Sequence, residues 1–379
     1  MARPFGVYVH FPYCTHRCPY CDFAVTTEAV PGDRRYARAV LAELALRAPA
    51  FRGLAPASVY LGGGTPSLWD PDEVAEVLDA IRSTFAFPAR AETTIEANPE
   101  SCDRGRLRAW RGAGVNRVSL GAQSFDPGVL AKLGRRHTPD DAARAIRAAA
   151  DELGNASVDL IYGARRSTVE VARADAVRAV GAGAVHVSAY QLTLDPEVLA
   201  EETPLARMRR QGRLPLPDED DAARQGAAIR TALRRLGLRR YEISNYARPG
   251  RESVHNRLYW DGESYLGLGA GAYGCLRGEV GAVRWGNVRD ARAYAGSVLA
   301  GRLPTAEEDR VEPRAARNER LMLALRTTRG AELGVLSAAQ AREAAEAVRR
   351  RLAVRRAGRL VLTSRGMDLH SALAERLFE

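Results

Sequence analysis

A chain of 379 residues is too long for one small core and predicts a large domain with an accessory one. Its 46% hydrophobic content is that of a globular protein; it carries neither a run of roughly 18 apolar residues nor a signal-peptide pattern, which predicts a cytoplasmic protein, at most peripheral at the inner face of the membrane. The net charge of +10 comes almost wholly from arginines spread along the chain, Lys132 being the one lysine, so it marks solvated faces rather than a nucleic-acid groove.

In chain order, the first apolar segment, 7–11, reads as a strand and runs into Cys14-Thr-His-Arg-Cys18-Pro-Tyr-Cys21. Cysteine separations of four and three gather three soft thiolates, which select iron–sulfur clusters, zinc or copper(I). Three thiolates cannot satisfy the four irons of a [4Fe–4S] cube, so one iron stays open to a chelating small molecule. A zinc site needs further ligands, but Cys102 and Cys275 are isolated, and His16 lies where it cannot easily complete a tetrahedron with its neighbours. Five cysteines with three clustered form no secreted disulfide framework and suit a reducing compartment.

Five more strand-like segments follow, 59–61, 93–97, 117–121, 157–161 and 185–190. Between them lie stretches with apolar residues at helical spacing, such as 34–48, 72–85, 140–153 and 169–180. This alternation predicts an α/β fold with a parallel sheet, and six units make an open, partial (β/α)6 barrel of TIM type rather than a closed one of eight. The polar residues fall at the strand ends. The cysteines follow the first strand and Gly62-Gly-Gly-Thr-Pro-Ser67 the second; Glu96 and Asn98 end the third, Gln123 the fourth and Tyr190-Gln191 the sixth, with Asp159 in the fifth. Parallel α/β folds bind ligands at that rim. The glycine run matches neither phosphate-binding pattern and reads as backbone approaching a ligand, or as a tight turn without one. A carboxylate such as Glu96 suits a ribose diol and an arginine such as Arg135 suits a carboxylate; alone, Glu96 reads better as a solvated strand end and Arg135 is unremarkable, and their joint position on one rim raises each.

Beyond residue 200 come a Pro-rich loop at 214–217, a helix over about 218–236, a β-like stretch at 240–246, the motif His255-Asn-Arg-Leu-Tyr-Trp260 and a glycine-rich run at 265–273. His255 beside aromatics is either a haem ligand or a packed, hydrogen-bonded residue, and the residues alone favour packing. An amphipathic segment at 317–326, a helix at 338–352, a hairpin at 354–362 turning at Gly358 and a closing helix at 369–377 predict a small winged-helix-like domain. The expected division is 1–237 for the barrel, 238–305 for an extension and 306–379 for that last domain.

Together, Tyr8-Val-His-Phe-Pro-Tyr-Cys14, Cys18-Pro-Tyr-Cys-Asp-Phe23, the 62–67 run, Leu120-Gly-Ala-Gln-Ser-Phe125, Asp159-Leu-Ile-Tyr-Gly163 and the 255–260 motif resemble the radical S-adenosylmethionine (SAM) superfamily and, within it, the oxygen-independent coproporphyrinogen oxidase family. That resemblance implies a [4Fe–4S] cluster on Cys14, Cys18 and Cys21, with SAM chelating the open iron. It implies SAM contacts from Tyr8, Gly63, Gly64, Thr65 and Glu96, with Gln123, Arg135 and Asp159 on the same rim and Tyr20 near the adenine or covering the cluster. The family holds coproporphyrinogen III dehydrogenases and HemW-type haem chaperones. Phe23, where the dehydrogenases carry a further cysteine, and the short stretch ahead of Cys14, which leaves nothing to form their lid, favour the chaperone branch. So does the 255–260 motif, associated there with haem, which makes His255 the haem-ligand candidate. Two departures stand out: Tyr162-Gly-Ala-Arg-Arg-Ser-Thr168 loses the family's Pro and Gln, and Gly271-Ala-Tyr273 replaces its Gly-Ala-His. The expected function is therefore a haem chaperone delivering haem to an acceptor, such as a membrane-bound respiratory protein. A flavodoxin- or ferredoxin-type reductant and a homodimer are compatible with it. The alternative is a coproporphyrinogen III dehydrogenase of porphyrin biosynthesis, with arginines holding the propionates.

Overall fold

Six strands run parallel in chain order: β1 (Pro4–Phe11), β2 (Ala55–Gly63), β3 (Glu92–Ala97), β4 (Arg117–Gln123), β5 (Ala156–Tyr162) and β6 (His186–Gln191). The computed structural model describes residues 2–195, 197–279 and 281–378. Helices Arg35–Arg47, Pro71–Phe85, Arg104–Gly112, Pro139–Leu153, Val169–Gly181 and Glu219–Arg235 cross over between strands or follow the last. Each of the last five begins on an Asp or Thr whose side chain accepts a backbone N–H of the first turn: Asp70, Asp103, Thr138, Thr168 and Asp218. Val7, Val9, Leu61, Ile95, Val118, Leu120, Val158 and Val187 are fully buried between sheet and helices, as parallel strands covered by crossovers require.

The barrel stays open, and both of its edges are extended. On the β6 side the chain adds β7 (Arg239–Arg240) and β8 (Asn245–Ala247), the latter antiparallel to β6. The single strand expected over 240–246 is broken because the fully buried Glu242 turns inward, accepting Ser244 N–H (2.8 Å) and Asn245 Nδ2 (2.5 Å) and pairing with Arg326 (2.9 Å). On the other side β9 (Ser264–Leu268) lies parallel to β1, followed by antiparallel β10 (Tyr273–Arg277), β11 (Ala282–Asn287) and β12 (Thr305–Val311). The sheet order is β12-β11-β10-β9-β1-β2-β3-β4-β5-β6-β8-β7. The glycine-rich run at 265–273 therefore carries a strand and a turn.

A buried charge fastens this added edge to the first helix. Glu43 accepts Arg47 Nε (2.7 Å), Asn287 Nδ2 (2.8 Å), Gly269 N–H (2.9 Å) and Tyr294 OH (2.8 Å), while Arg47 stacks on Trp285 at 4.6 Å. Removing one partner of a buried pair leaves the other uncompensated. Glu43→Ala is expected to cost about 3–5 kcal/mol, read as a lower denaturant midpoint; an unchanged midpoint would contradict this role.

The C-terminal part builds its own core of Leu321, Leu325, Leu352, Leu360, Met367 and Leu373 from helices Pro313–Leu325, Ala338–Arg349, Ser364–Asp368 and His370–Leu377. A small sheet of β13 (Ala331–Glu332), β14 (Ala353–Arg356) and β15 (Arg359–Leu362), in the order β13-β15-β14, completes this winged-helix-like part. Among the described residues no helix is long and apolar enough to cross a membrane.

Candidate functional site

The carboxyl ends of β1 to β6 surround a cavity of about 590 Å³. Every residue that the sequence nominated for cluster, SAM or haem lines it: the three cysteines, Tyr8, Tyr20, Gly63, Gly64, Thr65, Glu96, Gln123, Arg135, Asp159 and His255. The departures Arg165, Arg166 and Tyr273 are not among its lining residues.

The cysteine loop leaves β1 and closes on itself, Cys14 N–H donating to Thr26 O (2.9 Å) and Thr26 N–H to Pro12 O (2.8 Å). All three thiols are free. Burial pushes the Cys14 thiol up and the Cys21 thiol to about 11, so neither becomes a thiolate without a cation beside it. Thr65 Oγ1 donates to Cys14 Sγ (3.3 Å) and Arg135 Nη1 to Cys18 Sγ (3.6 Å). Asn98 Oδ1 (2.6 Å) and Gly121 O (2.9 Å) orient that guanidinium. His16 Nε2 lies 3.1 Å from Gly134 O and 3.7 Å from Cys18 Sγ. Among the described residues no three His, Cys, Asp or Glu close round a single ion. A cube differs: its three thiolates sit on three different irons and need not crowd one centre.

The 62–67 run is laced to the cysteine loop, Gly64 N–H donating to Phe11 O (2.7 Å) and Thr65 N–H to Tyr13 O (2.9 Å). Glu96 takes Gly63 N–H (3.1 Å) on one oxygen and Tyr60 OH (2.8 Å) on the other. Burial, then the charge of Asp159, pushes its carboxyl up to about 7. Asp159 is itself raised by burial and accepts Ser119 Oγ at 3.2 Å. Tyr20 packs against the cluster of Val129, Leu133 and Ala164, and Gln123 ends β4 at φ 64°.

His255 sits on the cavity floor, 2% exposed, in the helix Val254–Trp260. Its Nδ1 pairs with Ser58 Oγ (2.9 Å) and its Nε2 with Tyr259 OH (3.0 Å), and burial lowers its pKa to about 3. Both nitrogens are taken. The packed reading describes this imidazole, and the haem-ligand expectation meets a ring with no free donor atom.

Sequence reasoning missed the inner polar belt. In register lie Tyr8 with Tyr60, Glu96 with Ser119, Ser119 with Ser157, and Asp159 with Ser188. Ser157 Oγ, His186 and Tyr241 OH form a buried chain with both links at 2.8 Å. The available signal was polar residues at alternate positions in otherwise apolar strands. His10 was missed too; its ring lies 2.8 Å from Ala24 O through Nε2 and 3.0 Å from Tyr8 OH through Nδ1, tying β1 to the cysteine loop.

The family model of the radical SAM superfamily matches residues 8–174. The chain is 40% identical to the protein named Heme chaperone HemW of Mycobacterium tuberculosis H37Rv, over 99% of this chain and 95% of that protein. Identity to the Escherichia coli K12 protein of the same name is 37%, over 72% of this chain and 70% of that one. The solved structure of Escherichia coli coproporphyrinogen III oxidase (HemN), described as a radical SAM enzyme, superposes with a TM-score of 0.82 over all of this chain and 90% of the other. At 19% identity that likeness is one of fold.

Proposed function

This chain belongs to the HemW heme chaperone family of the radical SAM superfamily, and from that membership we propose that it binds haem and passes it to an acceptor protein. The observation that carries the reading is 40% identity over 99% of the chain to a protein of that name. Anaerobic cluster reconstitution followed by haem titration, then addition of an apo haem protein, tests it. A Soret change on binding and its transfer to the acceptor are expected; no Soret change contradicts the proposal.

Superfamily membership implies a [4Fe–4S] cluster and SAM, and the donor set fits. Three free thiols line one cavity, two of them with hydrogen-bond donors on sulfur. Cys14, Cys18 and Cys21 would hold the cluster, which when bound supplies an open iron for the amine and carboxylate of SAM. The chain's own part is positioning. The backbone of Gly63 and Gly64 lies along the rim, Thr65 and Arg135 donate to the sulfurs, and Glu96 offers its oxygens to the ribose diol. Arg135→Gln removes a positive charge beside Cys18, so the cluster potential is expected to move negative, read by an EPR-monitored redox titration. A potential equal to wild type would remove Arg135 from that role.

Glu96 gives the site a pH dependence. An acid whose folded pKa is raised to about 7 stays protonated while the unfolded chain has released its proton, so this group's contribution to stability falls as pH rises from the ordinary carboxylate range toward 7. Ionisation works the other way for the ligand, because a carboxylate accepts from a diol and attracts a sulfonium. SAM affinity is expected to rise as pH increases through about 7, and Glu96→Gln to flatten that rise. Titration by equilibrium dialysis checks this; an unchanged slope in the variant assigns the pH dependence elsewhere.

A further inference from the structure

Two large apolar side chains that line this cavity are left more than half exposed, Phe23 at 56% and Val198 at 68%. They come from the cysteine loop and the segment after β6, so their place on one cavity is a product of the fold. Leaving such surface in water beside a cavity marks a place that an apolar ligand covers. Ala200 N–H donates to Asp22 Oδ2 (3.0 Å), joining the two segments, and Arg289 Nη2 donates to Asp22 O (2.8 Å) from the chain after β11.

The charge at this mouth is specific as well. Arg17, which lines the cavity, shares the carboxylate of Glu201 with Arg289 behind it, at 2.9 and 3.2 Å. With the Asp22 carboxylate beside them, two guanidiniums face two carboxylates, and the Arg17, Arg289 and Glu201 side chains are each more than a third exposed. The Asp22 carboxylate at the same mouth is engaged by Ala200 N–H. An apolar wall beside exposed guanidiniums suits a flat hydrophobic macrocycle whose carboxylates exchange with Glu201 on the two forks.

The floor offers no such room. The imidazole of His255 packs against the rings of Tyr60 and Tyr259, each at 5.1 Å, and a Cβ on Gly6 would fall 2.9 Å from its Cε1. Reaching its nitrogens would break both hydrogen bonds and part the rings.

Resting on the haem-binding reading above, we propose that the haem lies at the cavity mouth, one face against Phe23 and Val198 and its propionates toward Arg17 and Arg289, and that His255 is not its ligand.

The test uses the full chain with its cluster reconstituted without oxygen. Haem is titrated by Soret absorbance into wild type, Phe23→Ser, Val198→Asp and His255→Asn, with iron content, melting temperature and SAM affinity measured on each. Each mouth variant is expected to bind haem about tenfold or more weakly, with iron and SAM binding kept, and His255→Asn to bind within about twofold of wild type. Metal-free protoporphyrin IX is expected to compete with haem, because the contacts are apolar and ionic. Full haem affinity in both mouth variants, or its loss only in a folded His255→Asn, overturns the placement, as would a patch that takes up a protein partner while haem binding is untouched. Wild type that binds no haem at all removes the chaperone reading itself, a result distinct from either.

Discussion

Changing Cys14, Cys18 or Cys21 singly to serine is expected to take the reconstituted chain from about four irons to near none. The visible absorption of the cluster should vanish and SAM binding fall with it. Serine is isosteric, so packing survives, but a hydroxyl is far harder to ionise than a thiol and is a hard ligand where iron–sulfur chemistry wants a soft one. The site amplifies the difference. Burial already holds the Cys14 and Cys21 thiols above their usual range, so the loop forms thiolates only against the charge of iron. Cys102 and Cys275 are the internal control, since both are buried away from the cavity. Serine there should leave iron content unchanged and cost about 1–3 kcal/mol for a buried hydroxyl. Iron retained in all three loop variants would end the assignment of the cluster to this loop.

Gly63→Ala is expected to be the most damaging single methyl in the rim. Gly63 sits at φ 111°, a conformation close to glycine-only, and an added Cβ would fall 2.6 Å from Cε1 of the buried His10. The backbone strain costs about 1–3 kcal/mol, and forcing the imidazole aside costs a similar amount. His10 is held on both sides, by Tyr8 OH and Ala24 O, so moving it disturbs β1 and the cysteine loop together. Gly63 N–H would also leave Glu96. A melting temperature several degrees lower and at least tenfold weaker SAM binding are expected. Gly154→Ala is the comparison. That residue has φ 64° at the C-cap of a helix with nothing within 4 Å of the new methyl, so it bears only the backbone cost, about 1 kcal/mol. Equal losses in the two variants would mean that close approach contributes nothing at Gly63.

Much of the barrel was legible because its signals are local. Each of the six predicted strands overlaps the strand observed, β1 to β6, and the hairpin of β14 and β15 turns at Gly358 as expected. Apolar run, turn and cap signals lie within a few residues of one another, so they survive reading along the chain. What failed to read is non-local. The run at 265–273 read only as glycine-rich, with no strand assigned, because β9 is five residues long and holds one of the glycines, while its partner β1 lies about 260 positions earlier. The break inside 240–246 depends on Glu242 meeting Arg326 from the C-terminal part.

By itself the sequence determined which donors this protein has and in what order they reach the rim: three cysteines at a fixed spacing, a glycine run, and acids and an arginine at successive strand ends. Only the tertiary structure decided access. It placed all of those groups around one cavity and left Phe23 and Val198 exposed beside it; it closed both nitrogens of His255 with Ser58, 197 residues away, and Tyr259. Burial and hydrogen-bond saturation are set by neighbours brought in from distant segments, whereas spacing and chemical identity are properties of the chain before it folds.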